Sequence, residues 1–320
     1  MELSAATALA KRACAERGYS KDRFAAHFGA EAHGHGDAAM HEGYFARLSC
    51  VEAMVRDFVR RTRDAQIIVL GAGFDSLYWR LAQPNVGFFE VDSPAVVDEK
   101  RRIISMRPAL KVEANYHLIA CDLRDAAAVA NALASAGCDS ARPTLVLAEC
   151  VLAYLPPDDG DALVRWAASA FQTGAFVAYD VLAPEDRFSR VMRDNFRARG
   201  WPLLGATRQT AKDQAARFVE CGYAKAAASD MLDAYDAIVA PQERDRIRAL
   251  RATPSDDVEQ FVLIMRHYCL IVAARGDDAA LSCVQALQSA LDQPPMPAPA
   301  SPPPRAGPSP RNAATPTTPV

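Results

Sequence analysis

QIIVLGAGFD, residues 66–75, is the stretch that decides the fold, because an apolar run ends there in two closely spaced glycines, Gly71 and Gly73. Such a run is typical of a buried strand that opens into a ligand-binding turn, since glycine accepts strained backbone conformations and lets a ligand approach the chain closely. The stretch therefore predicts the first strand of an α/β sheet and a binding site at its carboxyl end.

A second apolar run, residues 86–91, brings Glu90 and Asp92 about twenty residues beyond the glycine turn, the distance at which an acidic side chain meets ribose hydroxyls in a βαβ unit. The third glycine of a dinucleotide fingerprint is missing, because Ser76 stands in its place. A tightly held pyrophosphate is therefore less well supported than a ribose-bearing cofactor without phosphates. This pattern favours S-adenosylmethionine over NAD.

Two further apolar runs end in the same way. Residues 116–121 are followed by Asp122, and residues 144–148 are followed by Glu149. One such carboxylate would be read as a helix cap, but successive strands that each end in a glycine or an acid point to the ligand-binding edge of an open α/β sheet.

Strand and helix patterns alternate along the chain, which predicts a doubly wound, mainly parallel sheet of seven strands. We expect the last three strands at residues 175–181, 223–228 and 261–273. A helix over 161–171, started by Asp158 or Asp159 as its cap, is expected between two of the strands.

The 320 residues, 50% of them hydrophobic, can bury one large core. We expect one catalytic domain over residues 1–292, made of a helical lid at 1–63 and a Rossmann-like core at 64–275 with a helical insertion at 184–221. Eleven of the 21 prolines lie after this domain. Residues 293–320 are therefore expected to form a disordered tail, with a proline-rich ligand for an SH3-type module as the alternative.

The net charge of −3 and the lack of long lysine or arginine runs argue against nucleic-acid and membrane partners. No secretory signal or membrane-length apolar stretch is present, so we expect a cytoplasmic protein, and we expect it to be monomeric. Eight scattered cysteines without a C-x-x-C pair indicate reduced thiols. No cysteine or carboxylate constellation completes a closed site with the histidines of HGH at 33–35 and His41, so no metal is expected.

Several longer motifs occur in a specific order along residues 8 to 275. They are Lys11-Arg12, GYFAR at 43–47, LGAGFDSLYWRL at 70–81, FFEVDSP at 88–94, CDLRD at 121–125, PTLVLAECVLAYLPP at 143–157 and RHYCL at 266–270. In this order and spacing they resemble the leucine carboxyl methyltransferases. The resemblance implies the class I Rossmann-like fold of S-adenosylmethionine-dependent methyltransferases. It also implies S-adenosyl-L-methionine as cofactor and the C-terminal leucine carboxylate of the protein phosphatase 2A catalytic subunit as substrate.

The resemblance also implies the cofactor contacts. They fall on Lys11, Arg47, Gly71, Gly73, Asp92, Asp122, Leu123 and Glu149, and Tyr154 lines the same pocket. Asp92 is expected to accept the ribose hydroxyls and Asp122 the adenine amino group, with Leu123 as an apolar wall.

The remaining implied roles concern the methionine end of the cofactor. Arg47, helped by Lys11, is expected to hold the methionine carboxylate, because a guanidinium binds a carboxylate through two parallel hydrogen bonds. Glu149 and the backbone of Gly71 are expected to face the methionine ammonium group.

No general base is expected. A peptide C-terminal carboxyl has a pKa of about 3.3 to 3.7, so it is already the nucleophilic anion at neutral pH. His267, predicted within the last strand, is interpreted as a core residue and not as a base. Catalysis would then consist of positioning by Arg47, Lys11 and Tyr154 and of excluding water with the lid and the 184–221 insertion.

Three other functions remain open at this stage. A related enzyme would methylate a small acid or a modified tRNA base, although the tRNA branch usually has a kelch-like repeat domain that this sequence lacks. A dinucleotide-dependent oxidoreductase competes poorly because of Ser76, and a pseudoenzyme would bind phosphatase without turnover. Two departures from the family pattern, Arg23 and Arg251, put the geometry of the loop before Glu259 in question. Residues 34–39 and the proline-rich tail are also unlike the family, which puts the docking of the phosphatase in question.

Overall fold

The computed structural model describes residues 1–30, 36–81, 83–251 and 256–292, and within them seven strands form one sheet. The strands are β1 (Gln66–Leu70), β2 (Gly87–Asp92), β3 (Tyr116–Ala120), β4 (Thr144–Glu149), β5 (Gly174–Val181), β6 (Lys225–Asp230) and β7 (Tyr268–Arg275). Their order is β3-β2-β1-β4-β5-β7-β6. The pairs from β3 to β5 are parallel, whereas β7 runs antiparallel to both of its neighbours. The predicted mainly parallel, seven-stranded sheet is confirmed.

The strand order reverses beside β1. The chain moves outward from β1 through β2 to β3 and then returns to place β4 on the other side of β1. In open α/β sheets a crevice forms outside the carboxyl ends of the strands at such a reversal. The ends of β1 and β4 therefore mark the place where a ligand site is expected.

Twelve α-helices accompany the strands within the described residues. The first six are α1 (Glu2–Glu16), α2 (Ala38–Arg61), α3 (Leu77–Leu81), α4 (Pro94–Ser105), α5 (Ala126–Ser135) and α6 (Pro157–Ala170). The others are α7 (Arg187–Ala198), α8 (Ala211–Glu220), α9 (Met231–Ile238), α10 (Pro241–Arg248), α11 (Asp256–Arg266) and α12 (Asp278–Asp292). None of the described helices combines the length and apolarity that crossing a bilayer demands.

Both faces of the central strand β1 are buried, as its continuous apolar sequence requires. Ile67 and Val69 belong to the hydrophobic cluster that includes residues of α2, α9 and α12. Ile68 and Leu70 belong to the opposite cluster, which includes residues of α5, α6 and α8. The alternation of side chains along one strand thus joins two helical layers to a single sheet.

The prediction of one long strand over 261–273 was wrong. Helix α11 occupies the first part of that stretch, and β7 begins only at Tyr268. The side chains of Phe261 and Met265, four residues apart, are buried, whereas 44% of Leu263 is exposed. Periodicity alone cannot distinguish a continuous apolar run in a buried strand from one in a helix. The predicted position of His267 within the strand was wrong for the same reason.

The predicted start of α6 was also wrong. This helix begins at Pro157, with Pro156 as N-cap, and Asp158 and Asp159 lie in its first turn. Proline suits that first position because its fixed φ is helical and its missing N–H is not needed there. The two carboxylates instead stabilise the helix through the partial positive charge of its N-terminus.

Residues 184–221, predicted as a helical insertion, contain α7 and α8. Phe218 of α8 is fully buried against the sheet, while much of α7 is exposed. The predicted tail at 293–320 and the HGH stretch at 33–35 lie outside the described residues. Arg251, a departure from the family pattern, forms a buried ion pair with Glu42, its Nε donating to Oε2 at 2.8 Å.

Candidate active site

The turn after β1 has the conformation that its glycines permit. Gly71 has φ +63° and Gly73 has φ +51°, both in the left-handed region. A side chain at Gly71 would also collide with Val151, since a Cβ there would lie 2.6 Å from Cγ2 of that residue. The turn thus requires glycine at residue 71 both for its backbone conformation and for the close approach of Val151.

Asp92, at the end of β2, holds this turn in place. Its Oδ2 accepts a hydrogen bond of 2.7 Å from the backbone N–H of Gly73, and its Oδ1 accepts one of 2.7 Å from the N–H of Ser93. The carboxylate is half-buried. Oδ1 also accepts from the hydroxyl of Ser93 at 3.2 Å, so Oδ2 is the oxygen that keeps a further acceptor position for a hydroxyl group.

A cavity of about 400 Å³ opens at the glycine turn. Its walls come from small residues of α1, from α2, from the ends of β1 and β4, and from the segment that follows α7. Cavities of several hundred cubic ångströms are typical of sites for cofactors and other small molecules. Ser4 of α1 lies next to Gly73, so α1 covers the turn, and the action of residues 1–63 as a lid stays a prediction.

Four charged side chains meet inside this cavity. Nζ of Lys11 donates to Oε1 of Glu149 at 2.8 Å and pairs with the carboxylate of Asp75 as well. Nε of Arg47 donates to the same Oε1 of Glu149 at 2.5 Å. The four side chains are about nine-tenths buried and carry two positive and two negative charges. This charge cluster, Lys11, Arg47, Asp75 and Glu149, is electrically neutral as a whole.

The pairing keeps all four groups charged. Burial alone would lower the pKa of Lys11, but the carboxylates of Asp75 and Glu149 outweigh it and raise that pKa. Burial likewise opposes the charge of Glu149, yet Arg47 and Lys11 hold its pKa below the usual range. The pKa of Asp75 is lowered in the same way by Lys11 and Arg80. The cluster therefore keeps its charges across the neutral pH range.

Aromatic rings surround the guanidinium of Arg47. Its Cζ lies 4.8 Å from the ring centroid of Tyr179 and 5.6 Å from that of Tyr44. Tyr179 stacks on Tyr268 with 5.2 Å between centroids. A guanidinium is stabilised over an aromatic face, so these rings fix its position as well as its charge.

Cys150 follows Glu149 with φ +54°, a backbone conformation that residues other than glycine rarely adopt. Burial raises the pKa of its thiol to about 12, so this side chain stays protonated and is not a nucleophile. All eight cysteines are free thiols. Within the described ranges no group of three or more metal-ligating side chains comes together.

The other end of the cavity is aromatic. Tyr268 lines it from β7 and Tyr154 from the short 3-10 turn after β4. Phe196, Arg199 and Trp201 line it from the end of α7 and the loop after it. The rings of Tyr154 and Phe196 are 6.2 Å apart. This region can take an apolar group, and the exposed Arg199 at its edge adds positive charge.

The structure places six of the nine predicted site residues in the cavity wall: Lys11, Arg47, Gly71, Gly73, Glu149 and Tyr154. Asp92 lies just behind the wall, bonded to the turn. Leu123 is half-buried beside Gly71, with its Cδ1 3.7 Å from the position of a Cβ there. Asp122 is exposed and forms an ion pair with Arg124, with Nε 3.0 Å from Oδ1. The roles assigned to these residues stay predictions.

Glu90, the other carboxylate of β2, is buried and also lines the cavity. Its Oε2 receives Nζ of Lys100 at 2.6 Å and the hydroxyl of Tyr116 at 2.6 Å. His267 lies outside the cavity wall and bonds through Nε2 to Asp186 at 2.8 Å. No histidine lines the cavity among the residues that the structure describes.

Asp75 was not predicted as a site residue, although it stands in the decisive stretch. Its signal in the sequence was an acidic residue directly after the glycine turn, which resembles an ordinary helix start. Phe196, Arg199 and Trp201 were missed as well, because a loop after a surface helix shows no periodicity that would point to a cavity.

Residues 3–168 match the family model described as leucine carboxyl methyltransferase. The chain belongs to the leucine carboxyl methyltransferase family. Leucine carboxyl methyltransferase 1 of Bos taurus is 31% identical over 292 residues, which cover 84% of this chain and 87% of that protein. Human tRNA wybutosine-synthesizing protein 4 is 36% identical over 301 residues, which cover 85% of this chain. The chain spans only 43% of the length of that human relative.

The fold also matches a solved structure. A candidate methyltransferase from Thermobifida fusca YX superimposes with a TM-score of 0.51 at 14% identity, over 74% of this chain and 83% of that one. The chain thus has the Rossmann-like fold of class I S-adenosylmethionine-dependent methyltransferases.

Proposed function

We propose that this protein methylates the α-carboxylate of the C-terminal leucine of the protein phosphatase 2A catalytic subunit, with S-adenosyl-L-methionine as the methyl donor. The acceptor is a protein partner, and the reaction would take place in the cytoplasm. The leucine carboxyl methyltransferase 1 relatives, about 31% identical over most of both chains, support carboxyl methylation.

The single observation that carries the proposal is the neutral charge cluster beside the glycine turn. A methyl donor with a sulfonium, an ammonium and a carboxylate has a net charge of +1, and an ionised chain end has a charge of −1. Burying both in a cavity whose own charges cancel leaves no net charge uncompensated, which would otherwise be costly. The cluster also offers cations to the carboxylate groups and anions to the ammonium and sulfonium groups.

The residues present fit S-adenosylmethionine. Arg47 and Lys11 would hold its carboxylate, and Glu149 and the backbone of Gly71 its ammonium. Asp92 would hold its ribose, one hydroxyl of which suits the remaining acceptor position on Oδ2 of that carboxylate. When bound, the cofactor supplies an electrophilic methyl group on a sulfonium. Binding requires Glu149 to exchange part of its present pairing with Lys11 and Arg47 for the new ammonium group.

The chain's own residues position the reacting groups and exclude water. The acceptor carboxylate is ionised at neutral pH and needs no base, in agreement with the absence of histidine from the described cavity wall. Tyr154, Phe196 and Trp201 would enclose the apolar leucine side chain and exclude water. Attack of an anion on a cation is slowed by their hydration, so a closed cavity that aligns the two groups accelerates it.

The test is methyl transfer to purified phosphatase catalytic subunit, with the modified residue mapped by mass spectrometry. The expected product gains one methyl group on its C-terminal leucine. The control acceptor is the same subunit with an amidated C-terminus, which should gain none. Transfer to the amidated form would show that the assigned acceptor group is wrong.

A carboxylate on a modified tRNA base is the second candidate acceptor. Two relatives, 36% and 33% identical to this chain, are named tRNA wybutosine-synthesizing protein 4. The aromatic end of the cavity could also stack on a base. Incubation with bulk tRNA and labelled donor separates the candidates, because our first proposal predicts label in the phosphatase and none in the RNA.

A further inference from the structure

Arg80, in the last turn of α3, lies at the centre of a second group of largely buried charges. Its Nε donates to Oε2 of Glu52 at 2.9 Å, and its Nη1 donates to Oδ2 of Asp22 at 3.2 Å and to Oγ of Ser76 at 2.6 Å. Nη1 also lies 3.4 Å from Oδ1 of Asp75. Only 11% of the Arg80 side chain is exposed. Several bonds to one rigid, planar guanidinium hold it in a fixed position.

Asp75 connects this group to the charge cluster of the active site. Its Oδ1 faces Arg80 and accepts a hydrogen bond of 2.6 Å from the backbone N–H of Leu77. Its Oδ2 pairs with Nζ of Lys11. Because the contacts to Oδ1 fix the orientation of the carboxylate, they direct Oδ2 at Lys11.

Arg80 itself does not line the active-site cavity, whereas Asp75 and Lys11 both do. It lines a second cavity of about 550 Å³, between α2, α10 and the loop after α1. Of the hydrogen-bond partners described for its side chain, Asp75 alone belongs to the wall of the active-site cavity. Arg80 would therefore act on a ligand in the active site through Asp75 and not by contact.

We propose that Arg80 is a positioning residue for the methyl donor and acts through Asp75 on Lys11. The inference rests on the proposed function, in which Lys11 helps Arg47 to hold the carboxylate of the donor. When the ammonium group of the donor takes part of the pairing of Glu149, Lys11 depends more on Asp75, because a buried cation needs a compensating charge. A carboxylate that Arg80 holds in place then keeps Lys11 in the cavity wall.

The electrostatics of Asp75 agree with this role. Burial favours the neutral form of this carboxyl, but Lys11 and Arg80 outweigh burial and lower its pKa. Without Arg80 the pKa of Asp75 would be higher, so on acidification its negative charge would be lost at a higher pH. Donor affinity should therefore decline at a higher pH in a variant without Arg80 than in the unaltered protein.

Arg80 also contributes to stability, since it joins Asp22 and Glu52 to the core, so a loss of stability alone does not test the proposal. Arg217 of α8 provides a matched control. Its side chain is only 4% exposed, and its Nε donates to Oδ1 of Asp161 at 2.5 Å. Arg217 lies outside the wall of the active-site cavity, so its loss removes a buried ion pair without touching the donor site.

The experiment measures the Kd of S-adenosylhomocysteine by calorimetry on folded full-length protein. Arg80→Met should weaken binding by about tenfold, the value of one hydrogen bond, and the control Arg217→Met by less than about twofold. In a Lys11→Met background, Arg80→Met should change the Kd by less than about twofold, because the residue through which Arg80 acts is then missing. The single variant should also lose affinity at a higher pH on acidification than the unaltered protein does.

An unchanged Kd in Arg80→Met, or the same loss of affinity with and without Lys11, would overturn the inference and leave the proposed function intact. If Arg80→Met does not fold, Arg80→Lys replaces it, since lysine keeps the charge but not the planar set of donors. That variant should weaken binding by about two- to tenfold, with the same dependence on Lys11. A lack of S-adenosylhomocysteine binding by the unaltered protein would refute the donor assigned in the proposed function, and this inference with it.

Discussion

Nε of Arg47 lies 2.5 Å from Oε1 of Glu149, a residue 102 positions later in the chain. The same oxygen also receives Nζ of Lys11 at 2.8 Å. One carboxylate at the end of β4 thus joins the first two helices to the sheet at the active site. This arrangement makes Glu149 important for both stability and donor binding.

Glu149→Gln should destabilise the protein by about 3 kcal/mol, because the buried Arg47 would lose its paired carboxylate and the buried Lys11 would keep only Asp75. Its affinity for S-adenosylhomocysteine should fall as well. Chemical denaturation and calorimetry measure the two effects. Asp98→Asn is the matched control, since it removes a carboxylate from an exposed ion pair with Arg101 and should cost less than about 1 kcal/mol. Equal losses of unfolding free energy in the two variants would contradict the role of the charge cluster.

Asp92→Ala should weaken cofactor binding sharply and loosen the glycine turn, because both the ribose acceptor and the bond from Gly73 are lost.

Asp122→Ala should weaken cofactor binding by about tenfold, the value of one hydrogen bond. Its stability should change by less than about 0.5 kcal/mol, because this side chain is exposed. Calorimetry with S-adenosylhomocysteine checks both. An unchanged affinity in either variant would refute the role assigned to that residue.

Gly71→Ala should destabilise the protein more than Gly137→Ala does. Both glycines have positive φ, so each substitution has a backbone cost of about 1 to 2 kcal/mol. A Cβ at Gly137 meets nothing within 4 Å, whereas one at Gly71 lies 2.6 Å from Val151. Only Gly71→Ala should also reduce donor affinity. Equal unfolding free energies with normal donor binding would mean that the turn does not need its glycine.

The rate of the chemical step should be nearly flat between about pH 6 and 8. The lowered pKa values of Glu149 and Asp75 mean that their charges are lost only on acidification through those values. The raised pKa of Lys11 means that its charge is lost only at high pH. Single-turnover measurements across this range test the expectation. A bell-shaped profile would require a catalytic base within the site.

Asp180 should make the free energy of unfolding depend on pH in the direction opposite to that of Glu149 and Asp75, because its pKa is raised and theirs are lowered. Burial raises its pKa to about 6, so the folded protein binds this proton more tightly than the unfolded chain does. Stability is therefore lost as pH rises from about 4 to about 7, by up to about 3 kcal/mol. Asp180→Asn should reduce this loss, as denaturation at several pH values would show. A parallel pH dependence in both proteins would place the cause elsewhere.

Local patterns predicted most of the sheet. The glycine turn and the strands from β1 to β5 depend on short apolar runs followed by glycine or acidic residues, and these signals lie within ten residues of each other. The end of the chain was harder, because the apolar stretch containing Phe261 and Met265 suits a helix as well as a strand. Its assignment depends on packing against α2, which is a tertiary contact.

Site residues were predicted only where the residue type and its position in the sequence indicate a role. Asp92 follows a strand at a recognisable distance from the turn, whereas the pairing of Lys11 with Asp75 spans 64 positions and depends on how α1 crosses the sheet. Spacing could not reveal that pairing. The aromatic end of the cavity depends in the same way on the path of the loop after α7.

The most direct test of the account is a crystal structure of the protein with S-adenosylhomocysteine. The account predicts that the ligand lies in the cavity beside Gly71, with its ribose at Asp92 and its amino acid group among Lys11, Arg47 and Glu149. Density for the ligand away from the glycine turn and the charge cluster would contradict it.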